Sequence, residues 1–225
     1  MTHSLAVISK GGEDGSGSSP FAICVFCGAN NSTNPALTTA VQEMAEVIAA
    51  RNWSLVYGGG TRGLMGLLAS TVVSSRGAQA VHGIIPNAMV KTESGIRIPE
   101  ESRFGRTTVV STMHERKFRM MQEADAFVAL PGGYGTMEEL FEMTTWNQLG
   151  IHHKPIVVFN IDGFFDEILA WVRKSVGYGL ITADQASIVV VAETADQVSE
   201  AVENYQNVKG RYLLDWDSGK QATAK

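Results

Sequence analysis

A carboxylate follows a glycine-rich turn in the segment PGGYGTMEE at 131–139. Glycines that open a helix leave backbone N–H groups free to bind phosphate or another anion. A carboxylate beside such a site can stabilise a developing positive charge or orient a water molecule. Thr136 and Glu139 also fit a capping box, in which each side chain accepts a backbone N–H at the helix start. A cap alone needs neither the glycines nor the proline, so the segment predicts a phosphorylated ligand with an acid beside it.

A second glycine-rich turn, GGGTRG at 58–63, precedes another predicted helix. The same reasoning predicts that its backbone contacts phosphate, and a tight turn that needs small residues is the alternative. The segment fits the dinucleotide pattern G-x-G-x-x-G. However, it follows the second predicted strand, and no Asp or Glu occurs between Gly63 and Lys91, where a ribose-binding acid is needed. A Walker loop is excluded because Leu64 and Met65 stand where Lys and Ser or Thr are required.

A basic pair, Arg116 and Lys117, lies near the start of a third predicted helix. Thr112 and Glu115 fit a capping box there, which places both cations about one turn into the helix. Arg119 is four residues after Glu115, so we predict a paired surface charge. Arg116 has no obvious partner. Its guanidinium is a candidate clamp for a carboxylate or a phosphate, with a solvated helix face as the alternative.

Other residues of potentially reactive types have structural explanations. Cys24 and Cys27 form a C-x-x-C within an apolar run that predicts a strand, where residues three apart point to opposite faces. A redox pair is therefore not expected, and a zinc site would lack its second pair of ligands. We interpret His152 and His153 as contacts at a helix end. The helical spacing of Met113, Met120 and Met121 predicts core residues. Trp146, Asn147 and Gln148 are predicted to face a partner helix.

Short apolar runs alternate with helical patterns along the chain. The predicted strands are FAICVFC (21–27), SLVY (54–57), AVHGII (80–85), TTVV (107–110), ADAFVAL (124–130), PIVVFN (155–160) and SIVVVA (187–192). The predicted helices are 35–50, 64–75, 113–123, 137–149, 164–176 and 195–206. This alternation is typical of a parallel sheet covered on both faces. We predict a single α/β domain with a doubly wound, Rossmann-like fold, in which the turns after Cys27, Tyr57, Val110 and Leu130 share the ligand-binding edge.

The composition fits one globular domain, with 225 residues, 44% hydrophobic and 18% charged. A net charge of −5 leaves no broad basic surface for nucleic acid or anionic lipid. Apolar runs fall short of the roughly 20 residues of a membrane helix, and residues 1–19 lack a signal-peptide pattern. We therefore expect a cytoplasmic protein that binds neither nucleic acid nor membrane. Residues 1–19 and 208–225 are predicted to be a flexible leader and tail around a domain at 20–207.

Together these motifs resemble the LONELY GUY family of cytokinin riboside 5′-monophosphate phosphoribohydrolases, often labelled lysine decarboxylases. The resemblance spans roughly residues 20–207 and rests on PGGYGTMEE (131–139), MHERK (113–117), GGGTRGLMG (58–66) and TTWNQLGIHHKP (144–155). It implies hydrolysis of the N-glycosidic bond of an N6-modified adenosine 5′-monophosphate, which releases the free base and ribose 5-phosphate. It also implies a homodimer or a dimer-based assembly, with the helix after PGGYGT near the subunit contact.

The resemblance assigns the catalytic pair to Arg116 and Glu139. It assigns substrate contacts to Glu93, Lys117, Gly132, Gly133, Tyr134, Gly135, Thr136, Met137, Glu138 and Thr144, and the phosphate argument adds Gly58, Gly59 and Gly60. Breaking a glycosidic C–N bond builds positive charge on the sugar, which a carboxylate at Glu139 would stabilise. Arg116 would favour the ionised form of that carboxylate or bind the phosphate. This chemistry demands no metal or organic cofactor.

Three other functions fit parts of the sequence. A broader nucleoside 5′-monophosphate nucleosidase acting on plain AMP would share these motifs, because a base pocket is defined by its shape. A non-hydrolytic nucleotide carrier would share the glycine turns but would not need Glu139. A pyridoxal-phosphate decarboxylase would need a desolvated lysine for its Schiff base, which Lys117 beside Arg116 does not match.

Overall fold

A seven-stranded, all-parallel sheet forms the centre of the computed structural model, which describes residues 20–92, 95–212, 214 and 216. Its strands are β1 (Ala22–Phe26), β2 (Ser54–Tyr57), β3 (Val81–Pro86), β6 (Arg106–Val110), β7 (Ala126–Ala129), β8 (Ile156–Phe159) and β9 (Val189–Ala192). They run in the order β6-β3-β2-β1-β7-β8-β9. Two short strands, β4 (Lys91–Thr92) and β5 (Gly95–Ile96), form a separate antiparallel pair. The predicted α/β Rossmann-like fold is confirmed.

The described part of the chain has nine α-helices, eight in the connections between strands and one after β9. They are α1 (Pro35–Ala50), α2 (Gly63–Arg76), α3 (Asn87–Val90), α4 (Glu101–Phe104), α5 (Met113–Glu123), α6 (Tyr134–Gln148), α7 (Asp166–Gly177), α8 (Ala183–Ala186) and α9 (Ala195–Glu203). The predicted bounds of α1, β2 and α5 match the structure. At α1 the reason is local, since the Asn34 side chain accepts the N–H of Ala36 at 3.0 Å and Pro35 supplies the first helical residue.

The helices cover both faces of the sheet. One apolar core lies under α1, α2 and α9, and the other lies under α5 and α6. Cys27 belongs to the first core and Cys24 to the second, so their side chains point to opposite faces as predicted. Both thiols are free, and burial raises the pKa of each.

The strand order reverses between β1 and β7, and the two turns beyond their carboxyl ends contact each other there. Gly28 donates its N–H to the carbonyl of Pro131 at 3.1 Å. Parallel sheets bind ligands at such a reversal point. The glycine-rich segment that follows β7 therefore stands at the position in the fold that is best suited to a ligand.

The ends of several elements differ from prediction. α6 begins at Tyr134 instead of residue 137, and α9 ends at Glu203 instead of residue 206. Beyond residue 208, in the predicted tail, Arg211 and Trp216 donate hydrogen bonds to the carbonyls of Asn147 and Leu149 at the end of α6. Among the described residues, no helix has the length and apolar character needed to span a bilayer.

Candidate active site

A buried ion pair joins α5 to α6 at the carboxyl edge of the sheet. Nη1 of Arg116 lies 2.8 Å from Oε1 of Glu139, and each side chain is 8% exposed. The sequence predicted both residues as functional but found no partner for Arg116. The partner lies 23 residues farther on, in the next helix, where local spacing rules do not reach.

Backbone carbonyls hold the other nitrogens of Arg116. Its Nε donates to the carbonyl of Ile84 on β3 at 3.1 Å, and Nη2 donates to the carbonyl of Gly58 after β2 at 3.4 Å. The guanidinium is thus fixed across the ends of two strands. A Cβ atom on Gly58 would lie 2.1 Å from Nη2, so Gly58 leaves the space that Arg116 fills.

Glu139 is positioned by the early start of α6. The N-cap is Gly133, whose carbonyl accepts the N–H of Met137 at 3.2 Å, so Thr136 already lies inside the helix. The predicted capping box between Thr136 and Glu139 is therefore wrong. Thr136 instead packs against the preceding turn, where a Cβ on Gly132 would lie 2.0 Å from its hydroxyl oxygen. The carboxylate of Glu139 is left free to meet Arg116.

Burial raises the pKa of Glu139, and the Arg116 guanidinium opposes that shift without cancelling it. The sequence predicted only the effect of Arg116, because the burial of the pair was not visible in it. A carboxylate with a raised pKa is a better proton acceptor than an ordinary one. It is therefore suited to activate a water molecule.

Lys117 is held by a second set of carboxylates. Its Nζ contacts Glu138 and lies 2.8 Å from Oε2 of Glu142, and its side chain is 5% exposed. Desolvation lowers the pKa of Lys117, but hydrogen bonds to Glu138 and Glu142 outweigh it, and the pKa is raised. Glu142 was missed by the sequence analysis, although it stands one turn after Glu138 and could be expected to share its partner.

The turn after β7 is open. A Cβ atom on Gly133 or Gly135 would meet no other atom within 4 Å, and Tyr134 between them is 97% exposed. At the start of α6 the backbone N–H groups have no carbonyl partner within the helix. The arrangement can accept an anion beside the buried carboxylate.

The turn after β2 is filled by the protein itself. In addition to the contact of Gly58 with Arg116, a Cβ on Gly59 would lie 2.9 Å from Cβ of Ile85, and one on Gly60 would lie 3.1 Å from Met65. Gly59 also has a φ of +74°, which favours glycine. The need for small residues here follows from packing, and phosphate contact by Gly58, Gly59 and Gly60 stays a prediction.

Comparison with known proteins adds to this geometry. Residues 65–202 match the family described as "Possible lysine decarboxylase". The chain is 47% identical over 184 residues to the probable cytokinin riboside 5′-monophosphate phosphoribohydrolase LOGL1 of Oryza sativa, covering 81% of this chain and 79% of that one. It is 45% identical over 202 residues to the Arabidopsis thaliana cytokinin riboside 5′-monophosphate phosphoribohydrolase LOG2, covering 89% and 92%. The chain belongs to the LONELY GUY family.

Solved structures with low sequence identity share the LONELY GUY fold seen here. A molybdenum cofactor binding protein from Rippkaea orientalis has a TM-score of 0.59 and 19% identity, covering 84% of this chain and 98% of that one. A molybdenum cofactor carrier protein from Chlamydomonas reinhardtii has a TM-score of 0.59 and 19% identity, covering 82% and 96%. At this identity the likeness concerns the fold alone.

One of the substrate contacts assigned by resemblance to the LONELY GUY family, Thr144, lies at a cavity away from the ion pair. Thr144 donates its hydroxyl to the carbonyl of Leu140 and lines a cavity of about 130 Å³ between α6 and α7. None of the other predicted site residues that the structure describes lines that cavity. Glu93 lies outside the described residues.

The remaining sequence predictions near the site have mixed outcomes. Thr112 accepts the N–H of Glu115 at 3.0 Å, but Glu115 accepts from Ser111 instead of Thr112, so the predicted capping box is only half formed. The predicted pair of Glu115 and Arg119 is confirmed at 3.0 Å. Of the methionines predicted in the core, Met120 and Met121 are buried, whereas Met113 is 42% exposed.

His152 has the structural role that the sequence predicted. It is buried at the end of α6, where its Nε2 donates to the carbonyl of Met143 at 3.0 Å. Burial lowers the pKa of His152 to about 4, so the ring is neutral at pH 7. In the described part of the chain, no group of three or more His, Cys, Asp and Glu residues is arranged to hold a metal ion.

Proposed function

We propose that this protein hydrolyses the N-glycosidic bond of N6-modified adenosine 5′-monophosphates, releasing the cytokinin base and ribose 5-phosphate. The observation that carries the proposal is the buried carboxylate of Glu139, paired with Arg116 at 2.8 Å beside the open turn after β7. The names of the rice and Arabidopsis relatives support the same substrate class. In the reaction, the bond between C1′ and N9 breaks, water oxygen bonds to C1′, and a proton passes to the base.

Glu139 acts at the anomeric carbon in this proposal. Its carboxylate stabilises the positive charge that builds on the sugar and accepts a proton from the attacking water. Arg116 positions Glu139, because two carbonyls fix its guanidinium, and its charge favours the ionised carboxylate against the effect of burial.

The phosphate binds at the turn after β7, contacting the segment from Gly132 to Glu138. The open faces of Gly133 and Gly135 let an anion approach the backbone N–H groups. Lys117 pairs with Glu138 and Glu142 and so offsets part of the negative charge of the acids next to that segment. Binding energy from the phosphate positions the sugar, so a nucleoside without phosphate should react poorly.

The pairing of Lys117 favours hydrolysis over pyridoxal-phosphate chemistry. A Schiff-base lysine needs a lowered pKa so that its neutral amine can attack. Hydrogen bonds to Glu138 and Glu142 instead raise the pKa of Lys117. The ammonium form is the stable one in this environment.

The test is incubation of the purified protein with N6-isopentenyladenosine 5′-monophosphate, with chromatography of the free base and ribose 5-phosphate. We expect release by the wild type and at least about a hundredfold less by Glu139→Gln. Glu123→Gln is the matched control, because Glu123 is an acid at the far end of α5 that contacts His82, and it should keep the wild-type rate. A protein that binds the nucleotide but releases no base would instead be a carrier, and an active Glu139→Gln would remove the proposed role of Glu139.

We also propose that the protein forms a homodimer through α6 and α7. The one buried residue of α7 is Ser175, and Trp171 is 53% exposed. Trp171 packs edge-on against Phe141 of α6, with ring centroids 5.6 Å apart, at the apolar cavity that Thr144 lines. An exposed aromatic side chain beside an apolar cavity is a feature of subunit contacts. A second copy of the chain would also bring its own α6 close to Thr144.

Light scattering after size exclusion tests the dimer. We expect a dimeric wild type and a monomeric Trp171→Asp variant, because a carboxylate in an apolar contact loses its hydration. Phe118→Asp is the control, since Phe118 is similarly exposed on α5 and should leave the dimer intact. A monomeric wild type, or a dimeric Trp171→Asp variant, would exclude this surface.

A further inference from the structure

Met113 is exposed although it belongs to the buried face of α5. It stands three and four residues before Arg116 and Lys117, a spacing that places all three side chains on one face of the helix. That face is otherwise covered, since Arg116, Lys117, Met120 and Met121 are all buried. Met113 is therefore exposed because it lies at the end of this otherwise buried face.

The position of Met113 explains the open space around it. Met113 is the first residue of α5 and follows β6 by a short turn. Side chains on a helix lean toward its N-terminus, so that of Met113 projects past the carboxyl edge of the sheet. This is the same edge at which Arg116 contacts Ile84 and Gly58. An apolar side chain thus borders the space in front of the ion pair.

A second exposed apolar residue follows a strand next to β6 in the sheet. Met89 is in α3, directly after β3, and is 64% exposed. β3 is the hydrogen-bonded neighbour of β6, the strand that precedes Met113. The carboxyl ends of these two strands therefore present two methionines at one end of the ligand-binding edge.

The orientation of a bound nucleotide follows from the proposed function. With the phosphate at the turn after β7 and C1′ at Glu139, the base lies on the opposite side of the ribose from the phosphate. Met113 follows β6, but the helix that carries it, α5, packs mainly on β3. From β7 to β3 the sheet crosses β1 and β2, a distance of about 14 Å for three strand spacings. This span is comparable to the length of a nucleoside monophosphate, so the base end of the ligand reaches the methionine side of the site.

We infer that Met113 contacts the apolar N6 substituent of the nucleotide and makes the enzyme prefer it over AMP. The inference rests on the proposed function. An isoprenoid chain is apolar and flexible, and burying it against a thioether side chain removes apolar surface of both from water. AMP carries a bare amino group at the same position and gains nothing from Met113. Met113 is thus a specificity-determining residue.

The experiment compares kcat/KM for N6-isopentenyladenosine 5′-monophosphate and for AMP in wild type, Met113→Ala and Met113→Gln. The ratio of the two values should fall about tenfold in both variants, the scale expected for losing an apolar contact of a few carbon atoms. Gln keeps the length of Met and is polar, so it tests apolar character separately from size. Both substitutions are at an exposed side chain, and unchanged thermal unfolding will confirm that each variant folds.

Two controls complete the design. Met113→Leu should keep the ratio within about twofold, because it preserves apolar volume. Phe118→Ala removes a side chain that is similarly exposed on the same helix but points away from Arg116, and it should leave both values of kcat/KM unchanged. Equal losses on the two substrates in Met113→Ala, or an unchanged ratio, would overturn the inference. A wild type that cleaves neither nucleotide would instead overturn the proposed function.

Discussion

The two glycine-rich turns at the carboxyl edge of the sheet look alike in sequence and differ in their surroundings. The turn after β2 is occupied by the protein's own side chains, with Arg116 filling the space at Gly58. The turn after β7 is open, since Gly133 and Gly135 face no neighbouring atom. A glycine run therefore has two physical uses at this edge. One admits the Arg116 side chain that pairs with Glu139, and the other leaves the backbone exposed.

The largest effect on activity should come from a substitution in the turn after β2. Gly58→Ala places a methyl group where Nη2 of Arg116 lies, so it should cost at least about a hundredfold in kcat/KM, as should Arg116→Ala and Glu139→Ala. If Gly58 acts through Arg116, the Gly58→Ala/Arg116→Ala double variant should be no worse than Arg116→Ala alone. Steady-state kinetics of the four proteins measures this coupling. Independent, multiplying losses would show that Gly58 has a separate role.

A substitution in the turn after β7 should weaken substrate binding. Gly133→Ala adds a methyl group to open space, so we expect normal folding and a KM for the nucleotide raised about tenfold by crowding of the phosphate. The inhibition constant of ribose 5-phosphate should rise in parallel. The residual rate with the dephosphorylated nucleoside serves as the control and should not change. An unaltered KM would argue against phosphate binding at this turn.

The first turn should also set the pH dependence. In the proposed reaction Glu139 acts in its ionised form, and burial raises its pKa above 4.5. We therefore expect kcat/KM to fall on acidification at a higher pH than for an ordinary glutamate. Gly58→Ala displaces the guanidinium that opposes the shift and should move this acid limb to still higher pH, whereas Gly133→Ala should not. Activity profiles from pH 4 to 8 measure both effects. A profile that stays flat down to pH 4.5 would contradict the raised pKa.

The smallest expected effects are on the stability of the fold, and they should differ in sign between the two turns. Gly135 lies within α6 and faces open space, so Gly135→Ala should stabilise the fold by up to about 0.5–1 kcal/mol through helix propensity. Gly59→Ala should destabilise it, because Gly59 has a positive φ and contacts Ile85. Thermal unfolding of the two variants measures the difference. Equal changes in Tm would mean that the turns are not physically distinct.

The sequence predicted the fold wherever local signals were strong. Asn34 and Pro35 mark the start of α1, and Thr112 marks the start of α5, so both helices were predicted with the correct bounds. The start of α6 was missed because its N-cap is Gly133, which offers no side-chain signal, and because Thr136 and Glu139 mimic a cap three residues later. A helix start that is capped by glycine can be located only from the backbone structure.

At the candidate site, residue types were predictable and their pairings were not. Arg116 and Glu139 were identified from motifs, but their contact depends on how α5 and α6 pack on the sheet. Glu142 was missed, although its spacing of one turn from Glu138 is the signal by which the two could be expected to share Lys117. Met113 was assigned to the core by helical spacing, which reports the face of a helix but not whether anything covers it. Burial and empty space are properties of the tertiary structure.

The hydrogen bonds beyond residue 208 have a practical consequence for handling the protein. Arg211 and Trp216 satisfy carbonyls in the last turn of α6, and a Cβ on Gly150 would lie 2.5 Å from the carbonyl oxygen of Tyr212. Glu139 lies near the N-terminus of α6, and these contacts hold the C-terminus of the same helix. They come from a segment that the sequence predicts to be a flexible tail. Truncation at 207 for crystallisation, or an affinity tag fused there, would loosen that end of α6, so a purification handle belongs at the N-terminus.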